Sequence, residues 1–396
     1  MASTFPRRAF AAALAASAAL ITAGCGGGGG SEPPSAPSPA PAAAAAGPAS
    51  RLIVAGDSLA DVGTFGLKAT VQNAANPSMG YPVYPELVGS ALGTGRQCNF
   101  FSSSDGTAIT TTFTTNAGCT NFAVGGAQVV NPVTRRGNEV PLSLEFQLES
   151  AVAANGGAWQ PGDLILIDAG SNDAAGLADA FLDARGGGGD QAIFLALLRQ
   201  QLDASAITQA LAQSDGESVA AGLYMQRLAQ TFWNTVKANT LDKGATRVAL
   251  VEIPDLTLTP RFRGIAADLS ATQGTAQATA FQTALRQWIV GFNTELNRLA
   301  AGDSRVVVVP YFADFSAQNT DPAASGLTNS TQASCPPQGD FPACTDAALD
   351  ASPPAGLAPG WWKTWFYSDN FHPSPRGHEL LAASVNRRLT QAGWLR

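Results

Sequence analysis

A doubly wound α/β fold on a mostly parallel sheet is predicted by two features of this sequence. Short, near-continuous apolar runs recur at Arg51–Ala55, Asp163–Ala169, Val248–Val251 and Val306–Val309. A strand that is apolar at nearly every position is buried on both faces, as strands of parallel sheets are. Between these runs lie longer stretches with helical periodicity, and alternating β and α elements fold into a layered sandwich with helices on both sides of the sheet.

The individual elements follow in order. Arg51–Ala55 leads into Gly56 and Asp163–Ala169 into Gly170, each glycine marking a strand end. Asn121-Phe122-Ala123-Val124 supplies one more short strand. Met225, Leu228, Ala229, Phe232 and Val236 form one helical face. Phe281, Leu285, Trp288, Ile289, Phe292, Leu296 and Leu299 form a fuller one, the stripe of a long amphipathic helix. Glu379 to Leu389 reads as a terminal helix. Stretches richer in Gly, Pro, Ser and Thr at about 98–119, 177–190, 256–276 and 314–360 read as long inserted loops, and loops of that length are candidate substrate walls. The Thr-rich part of the first fits a surface hairpin equally well.

A chain of 396 residues, 45% hydrophobic and only 13% charged, can bury a large core. Its formal net charge of −7 disfavours nucleic acid as a partner, because phosphate binding needs clustered Lys and Arg to displace counterions. Arg7 and Arg8, an apolar run from Ala9 to Ile21 and then Thr22-Ala23-Gly24-Cys25 have the build of a secretory signal peptide over residues 1–24. The small residues ending in Cys resemble a bacterial lipoprotein cleavage box, with Cys25 as the lipidated first residue. The alternative is simple cleavage near Ala23, leaving a periplasmic or secreted protein. Arg7-Arg8-Ala9-Phe10 also partly matches a twin-arginine signal, so the export route stays open. Residues 25–50 are Gly, Pro, Ala and Ser with one acid, Glu32, the composition of a tether. Removing the leader makes the chain more acidic, so attachment to an outer membrane would rest on the lipid and not on surface charge. No obligate protein partner is implied.

The other four cysteines, Cys98, Cys119, Cys335 and Cys344, fall in two close pairs. In an exported chain the expected disulfides are Cys98–Cys119 and Cys335–Cys344, each stabilising by roughly 2–4 kcal/mol. Zinc ligation is disfavoured, since there is no C-x-x-C and there are only two histidines.

Ser58, in Gly56-Asp57-Ser58-Leu59, lies where the first strand ends, and open parallel sheets bind ligands beyond the carboxyl ends of their strands. It reads either as a displayed nucleophile or as the cap of a following helix. A serine nucleophile needs a base, and the base needs a third group to hold its tautomer. His372 stands three residues after Asp369 in Ser368-Asp369-Asn370-Phe371-His372-Pro373, a spacing that lets the acid bond Nδ1 while Nε2 faces the serine. His378, further on, reads as structural. Gly170-Ser171-Asn172-Asp173 ends the second long strand, and Asn172 is either an amide donor or a turn residue. Asn121 to Gly126 offers a glycine N–H. A developing oxyanion needs such fixed donors.

These four blocks, in this order, resemble those of the SGNH/GDSL hydrolases: Gly56-Asp57-Ser58-Leu59-Ala60-Asp61-Val62-Gly63, Asn121-Phe122-Ala123-Val124-Gly125-Gly126-Ala127, Gly170-Ser171-Asn172-Asp173 and Asp369-Asn370-Phe371-His372-Pro373. The resemblance spans about 51–392, within a domain expected over 51–396. It implies a three-layer α/β/α sandwich with a flavodoxin-like sheet of about five strands. It implies Ser58 as nucleophile, His372 and Asp369 as its partners, and the Ser58 N–H, Gly126 and Asn172 as the oxyanion hole, with Gly125 as the alternative to Gly126. The implied activity is carboxylic ester hydrolysis through an acyl-enzyme, without metal or cofactor. Two departures stand out: Thr64 follows Gly63 where the pattern often continues Gly-Asn, and two glycines adjoin in the second block. The nucleophile elbow G-x-S-x-G, H-E-x-x-H and G-x-x-x-x-G-K are absent. Some relatives carry a C-terminal barrel, which is not expected in a sequence ending at Arg396 after its last helix.

Trp361-Trp362-Lys363-Thr364-Trp365-Phe366-Tyr367 precedes the histidine loop. These rings either line a groove for an acyl chain or pack the loop onto the core. Lipids, short acyl esters and sugar acetates all stay open as substrates. Acyl transfer to an alcohol is the alternative reaction, and a surface-tethered binding protein the non-catalytic one.

Overall fold

The computed structural model describes residues 47–103, 113–130, 141–185, 191–336, 341 and 343–396. The leader, Cys25 and nearly all of the tether lie outside the described residues. Residues 47–50, expected in the tether, are instead hydrogen-bonded to the domain. The Ala49 N–H donates to Trp394 O at 2.9 Å and the Ser50 N–H to Gly162 O at 2.9 Å.

Four strands, β1 (Arg51–Ala55), β2 (Asp163–Asp168), β3 (Val248–Val251) and β4 (Val306–Val309), form a parallel sheet in that order. A fifth segment runs along the outer edge of β1. The Val54 N–H donates to Thr120 O at 3.0 Å and the Phe122 N–H to Val54 O at 2.7 Å, with Asn121 bridged in parallel to Val54. Counting it, the spatial order by chain position is second, first, third, fourth, fifth. That is the flavodoxin-like doubly wound order, whose binding crevice lies at the carboxyl end of the first strand where the winding reverses.

Among the described residues the helices of nine residues or more are α1 (Tyr84–Leu92), α2 (Leu144–Ala154), α3 (Ser171–Arg185), α4 (Gly216–Asn239), α5 (Pro260–Gln273), α6 (Thr275–Ala300), α7 (Tyr311–Thr320) and α8 (Pro375–Gln391). Successive strand residues point to opposite faces. Leu52, Val54, Leu164, Leu166, Val307 and Val309 pack with α1, α7 and α8. Ile53, Ile165, Ile167, Val248 and Leu250 pack with α2, α3, α4 and α6. This is the three-layer sandwich the alternation predicts. The α6 stripe from Phe281 to Leu296 is buried, each large side chain contributing about 1.5–3 kcal/mol.

Three expected loops contain helix. The 177–190 stretch is helical to Arg185, the 256–276 stretch holds α5, and the 314–360 stretch begins inside α7 and carries a further helix, Asp346–Ala351. In α5, Gly, Ser and Thr dilute an apolar face of Phe262, Ile265, Ala266 and Leu269. The helix is started by Thr259, whose Oγ1 accepts the Phe262 N–H at 3.4 Å, and by Pro260 in the first turn. The first stretch, 98–119, contains two short antiparallel strands, Phe101–Ser103 and Phe113–Thr115. The terminal helix starts earlier than Glu379, because Ser374 caps it by accepting the Gly377 N–H and Pro375 opens it.

Both disulfides form, Cys98–Cys119 with Cα atoms 5.1 Å apart and Cys335–Cys344 with Cα atoms 5.6 Å apart. No helix among the described residues is long and apolar enough to cross a membrane.

Candidate active site

The turn that carries Ser58 is built from its backbone outward. Gln147 of α2, fully buried, clamps Gly56: the Gly56 N–H donates to Oε1 at 2.8 Å and Nε2 donates to Gly56 O at 2.9 Å. The Asp57 N–H donates to Oδ1 of Asp168, at the end of β2, at 3.0 Å, and the Leu59 N–H donates to Asp57 Oδ1 at 3.0 Å. Gly56 lies so close to Asp168 that a Cβ there would sit 1.7 Å from Asp168 Oδ1. Burial pushes the carboxyls of Asp57 and Asp168 up from their ordinary values, against the Leu59 N–H and His372 at Asp57 and against the Asp57 N–H at Asp168. No helix follows Ser58 before α1, so its side chain caps nothing.

Ser58 Oγ lies 2.8 Å from His372 Nε2. On the other side of the ring, Nδ1 lies 2.8 Å from Asp369 Oδ2. Asp369 Oδ1 accepts the Phe371 N–H at 2.7 Å and also the His372 N–H, and the loop is closed by the Ser368 N–H donating to His372 O at 2.9 Å. With Nδ1–H donated to a carboxylate, Nε2 is left as the acceptor for the serine hydroxyl. Burial alone would raise the Asp369 carboxyl, but the charge and hydrogen bonds of His372 hold it below the usual carboxylate value. Burial opposes charge on His372, yet Asp369, with help from Asp57 and against Arg261, keeps its pKa above 6.5.

A general base works neutral, so any activity that uses His372 as a base is expected to be lost as pH falls through a value above the ordinary imidazole pKa. The Asp369→Asn variant, deprived of the carboxylate, should move that limb to lower pH. A wild-type limb no higher than that of Asp369→Asn would contradict the ion-pair geometry.

The 121–127 segment and the start of α3 reach the same turn: the Val124 N–H donates to Gly56 O at 3.2 Å, and Ser171 lines the recess with Ser58. Of the two adjacent glycines, Gly125 has its N–H committed to Asp61 Oδ2 at 2.8 Å. The N–H groups of Gly126 and Ser58 have no partner among the described residues. Gly126 has φ of +81°, in the left-handed region that favours glycine. Asn172 lies in the first turn of α3 and not in a loop. Its Nδ2 donates to Ala127 O at 2.9 Å, which fixes the amide and leaves its second hydrogen uncommitted. The neighbouring Asp173 accepts the Val129 N–H at 3.0 Å, and its burial pushes its pKa up to about 7.

Asp61 was legible in the first block but its task was not. Its Oδ1 accepts the N–H groups of Gly63 and Thr64, at 2.9 and 2.8 Å, and its Oδ2 that of Gly125, so it joins the first block to the second. Gln147 and Asp168 carry no local signal, since their targets lie about ninety and one hundred and ten residues away along the chain. His378 is buried in α8, accepts the Tyr84 N–H on Nδ1 at 3.3 Å, and is pushed down to about 3 by burial. It takes no part in the Ser58 arrangement. The aromatic run divides: Trp362, Phe366 and Tyr367 are buried in the core, whereas half-buried Trp361 and the largely buried Trp365 line a groove.

A nucleophile candidate, a base oriented by an acid, and uncommitted N–H groups on the adjoining segments are the parts acyl transfer requires. The family model described as GDSL-like Lipase/Acylhydrolase matches residues 52–385, a span that includes all of them. A comparison with curated proteins finds no match. Since the matched span covers most of the chain and both halves of the site, this chain belongs to the GDSL-like lipase/acylhydrolase family.

Proposed function

We propose that this protein is an exported carboxylic ester hydrolase working through an acyl-enzyme on Ser58. The observation that carries the reading is the unbroken hydrogen-bonded series Ser58–His372–Asp369, with both links at 2.8 Å. Ser58 Oγ attacks the ester carbonyl carbon while its proton passes to His372 Nε2. The oxyanion is held by the N–H groups of Ser58 and Gly126 and by the Asn172 amide, donors worth roughly 2.7–4 kcal/mol each in such sites. His372 then protonates the departing alcohol oxygen, leaving the acyl group on Ser58. Water, losing a proton to His372, releases the acid, and the proton returns to Ser58.

Export and lipid attachment at Cys25 belong to the same proposal, with the outer membrane as destination. They are supported by the leader composition and by two disulfides, which persist in oxidising compartments.

The test is covalent trapping. A p-nitrophenyl alkylphosphonate offers phosphorus to the nucleophile and loses p-nitrophenolate. Peptide mass spectrometry should find one adduct per chain, on Ser58, formed far more slowly in His372→Ala. Labelling of a different serine, with ester hydrolysis intact, would overturn the assignment.

A further inference from the structure

Beside the histidine loop lies a groove of about 610 Å³, within the usual range for a small-molecule site. Its walls include Trp361, Trp365, Leu349, Pro260, the Cys335–Cys344 disulfide and Asn370, which lies between Asp369 and His372 in the chain. Trp361 and Trp365 brace each other edge to face, with ring centroids 4.5 Å apart. The Trp361 indole N–H is already donated to Leu349 O at 3.1 Å. None of the described residues lining the groove is charged. Two of its polar side chains are engaged elsewhere, Gln332 Oε1 by Asn329 at 3.0 Å and Ser334 Oγ on Ser368 O at 3.5 Å. Such a surface favours an apolar occupant and offers no cation to a phosphate-bearing headgroup.

The groove adjoins the histidine side of the reacting centre through the disulfide loop. The Cys335 N–H donates to Ser368 O at 2.7 Å, directly before Asp369. The same disulfide loop carries Phe341, whose ring meets the edge of the His372 imidazole at 5.5 Å between centroids. Pro260 and Asn370, which line the groove, adjoin Thr259 and Phe371, which line the recess at Ser58. The N–H donors for an oxyanion come from other segments, 121–127 and the start of α3. In ester cleavage the leaving oxygen must reach His372 Nε2, so the substrate half that extends past His372 is the alcohol.

We infer that this groove binds the alcohol half of the ester, as an apolar alkyl or aryl group, so that the protein selects its substrate by the leaving alcohol more than by acyl length. This rests on Ser58 and His372 acting as proposed above.

Hexyl acetate and ethyl hexanoate are isomers of equal hydrophobicity that place the long chain on opposite sides of the ester. With the full chain, kcat/KM for hexyl acetate is expected to exceed that for ethyl hexanoate by about tenfold or more, given the discrimination apolar pockets achieve per methylene. Ala348 is exposed on the groove wall, so Ala348→Trp fills the space without disturbing the core. This variant should lose about tenfold on hexyl acetate while ethyl acetate and ethyl hexanoate are unchanged. Ala343→Trp, from the other wall, should do the same. A selective loss on ethyl hexanoate, or no change on either isomer in both variants, would overturn the inference. Failure of the underlying reading looks different: Ser58→Ala would then hydrolyse both isomers as fast as the parent.

Discussion

Replacing Ser58 by alanine is expected to lower kcat on a p-nitrophenyl ester by about 10⁴-fold or more, with little change in KM. The hydroxyl makes its bond to substrate only on the way through the transition state, so its loss subtracts from kcat and not from ground-state binding. His372→Ala should fall to nearly the same floor, because an unactivated serine hydroxyl at neutral pH is a poor nucleophile. The double variant should be no slower than either single one. That non-additivity is the signature of groups acting as a unit, and steady-state kinetics on the three variants measures it. A double variant slower by the product of the two losses would mean that Ser58 and His372 act separately, against their 2.8 Å contact. Whatever activity survives would report the N–H groups of Ser58 and Gly126 and the Asn172 amide, which these substitutions leave in place.

The largest expected loss of stability comes from one methyl group. In Gly56→Ala the new Cβ would lie 1.7 Å from Asp168 Oδ1 and 2.8 Å from the Asp168 carbonyl oxygen. The side-chain clash is relieved only if Asp168 swings away. That strips the buried Asp57 N–H of its acceptor, and the nearby backbone carbonyl cannot follow. An unsatisfied buried donor costs about 1–3 kcal/mol and overpacking a comparable amount, so a destabilisation of about 3 kcal/mol or more is expected. A drop in the urea midpoint with unchanged slope measures it. Adding Asp168→Ala to Gly56→Ala should recover the side-chain part of the overpacking and leave the carbonyl contact and the unpaired donor. An unchanged midpoint in the single variant would mean that the β2 end is not packed against the nucleophile turn as described.

Much of this molecule was legible before any coordinates. Four strands announced themselves as continuous apolar runs, because a strand sandwiched between helix layers has no solvent face to encode. The fifth, at 121–124, was visible as a short apolar stretch, although it pairs with β1 through only a few backbone bonds. Ser58, Asp369 and His372 were readable because the chemistry limits which residue types can serve. The acid and base also lie three residues apart on one loop, where local spacing carries information. The long α6 stripe was plain for the same reason, since a helix repeats its pattern within the chain.

What escaped the sequence is what depends on contacts between distant segments. The adjacent glycines look alike as letters, and only the approach of Asp61 ties up one N–H and leaves the other free. Gln147 and Asp168 read as an ordinary helix residue and a strand-end acid until the fold brings both against Gly56 and Asp57. The helix α5 was hidden among Gly, Ser and Thr, because its stability comes from Phe262 and Ala266 being covered by neighbours and not from intrinsic propensity. The aromatic run 361–367 could not be divided by inspection, since burial of a ring depends on what packs over it. Sequence by itself determined the strand pattern, the layered fold and the candidates for the reacting side chains, all encoded in local periodicity and in the scarcity of suitable residue types. Tertiary structure alone decided which donors are free, which carboxyls are buried and which tryptophans face a groove, because hydrogen-bond satisfaction and desolvation are properties of the packed whole.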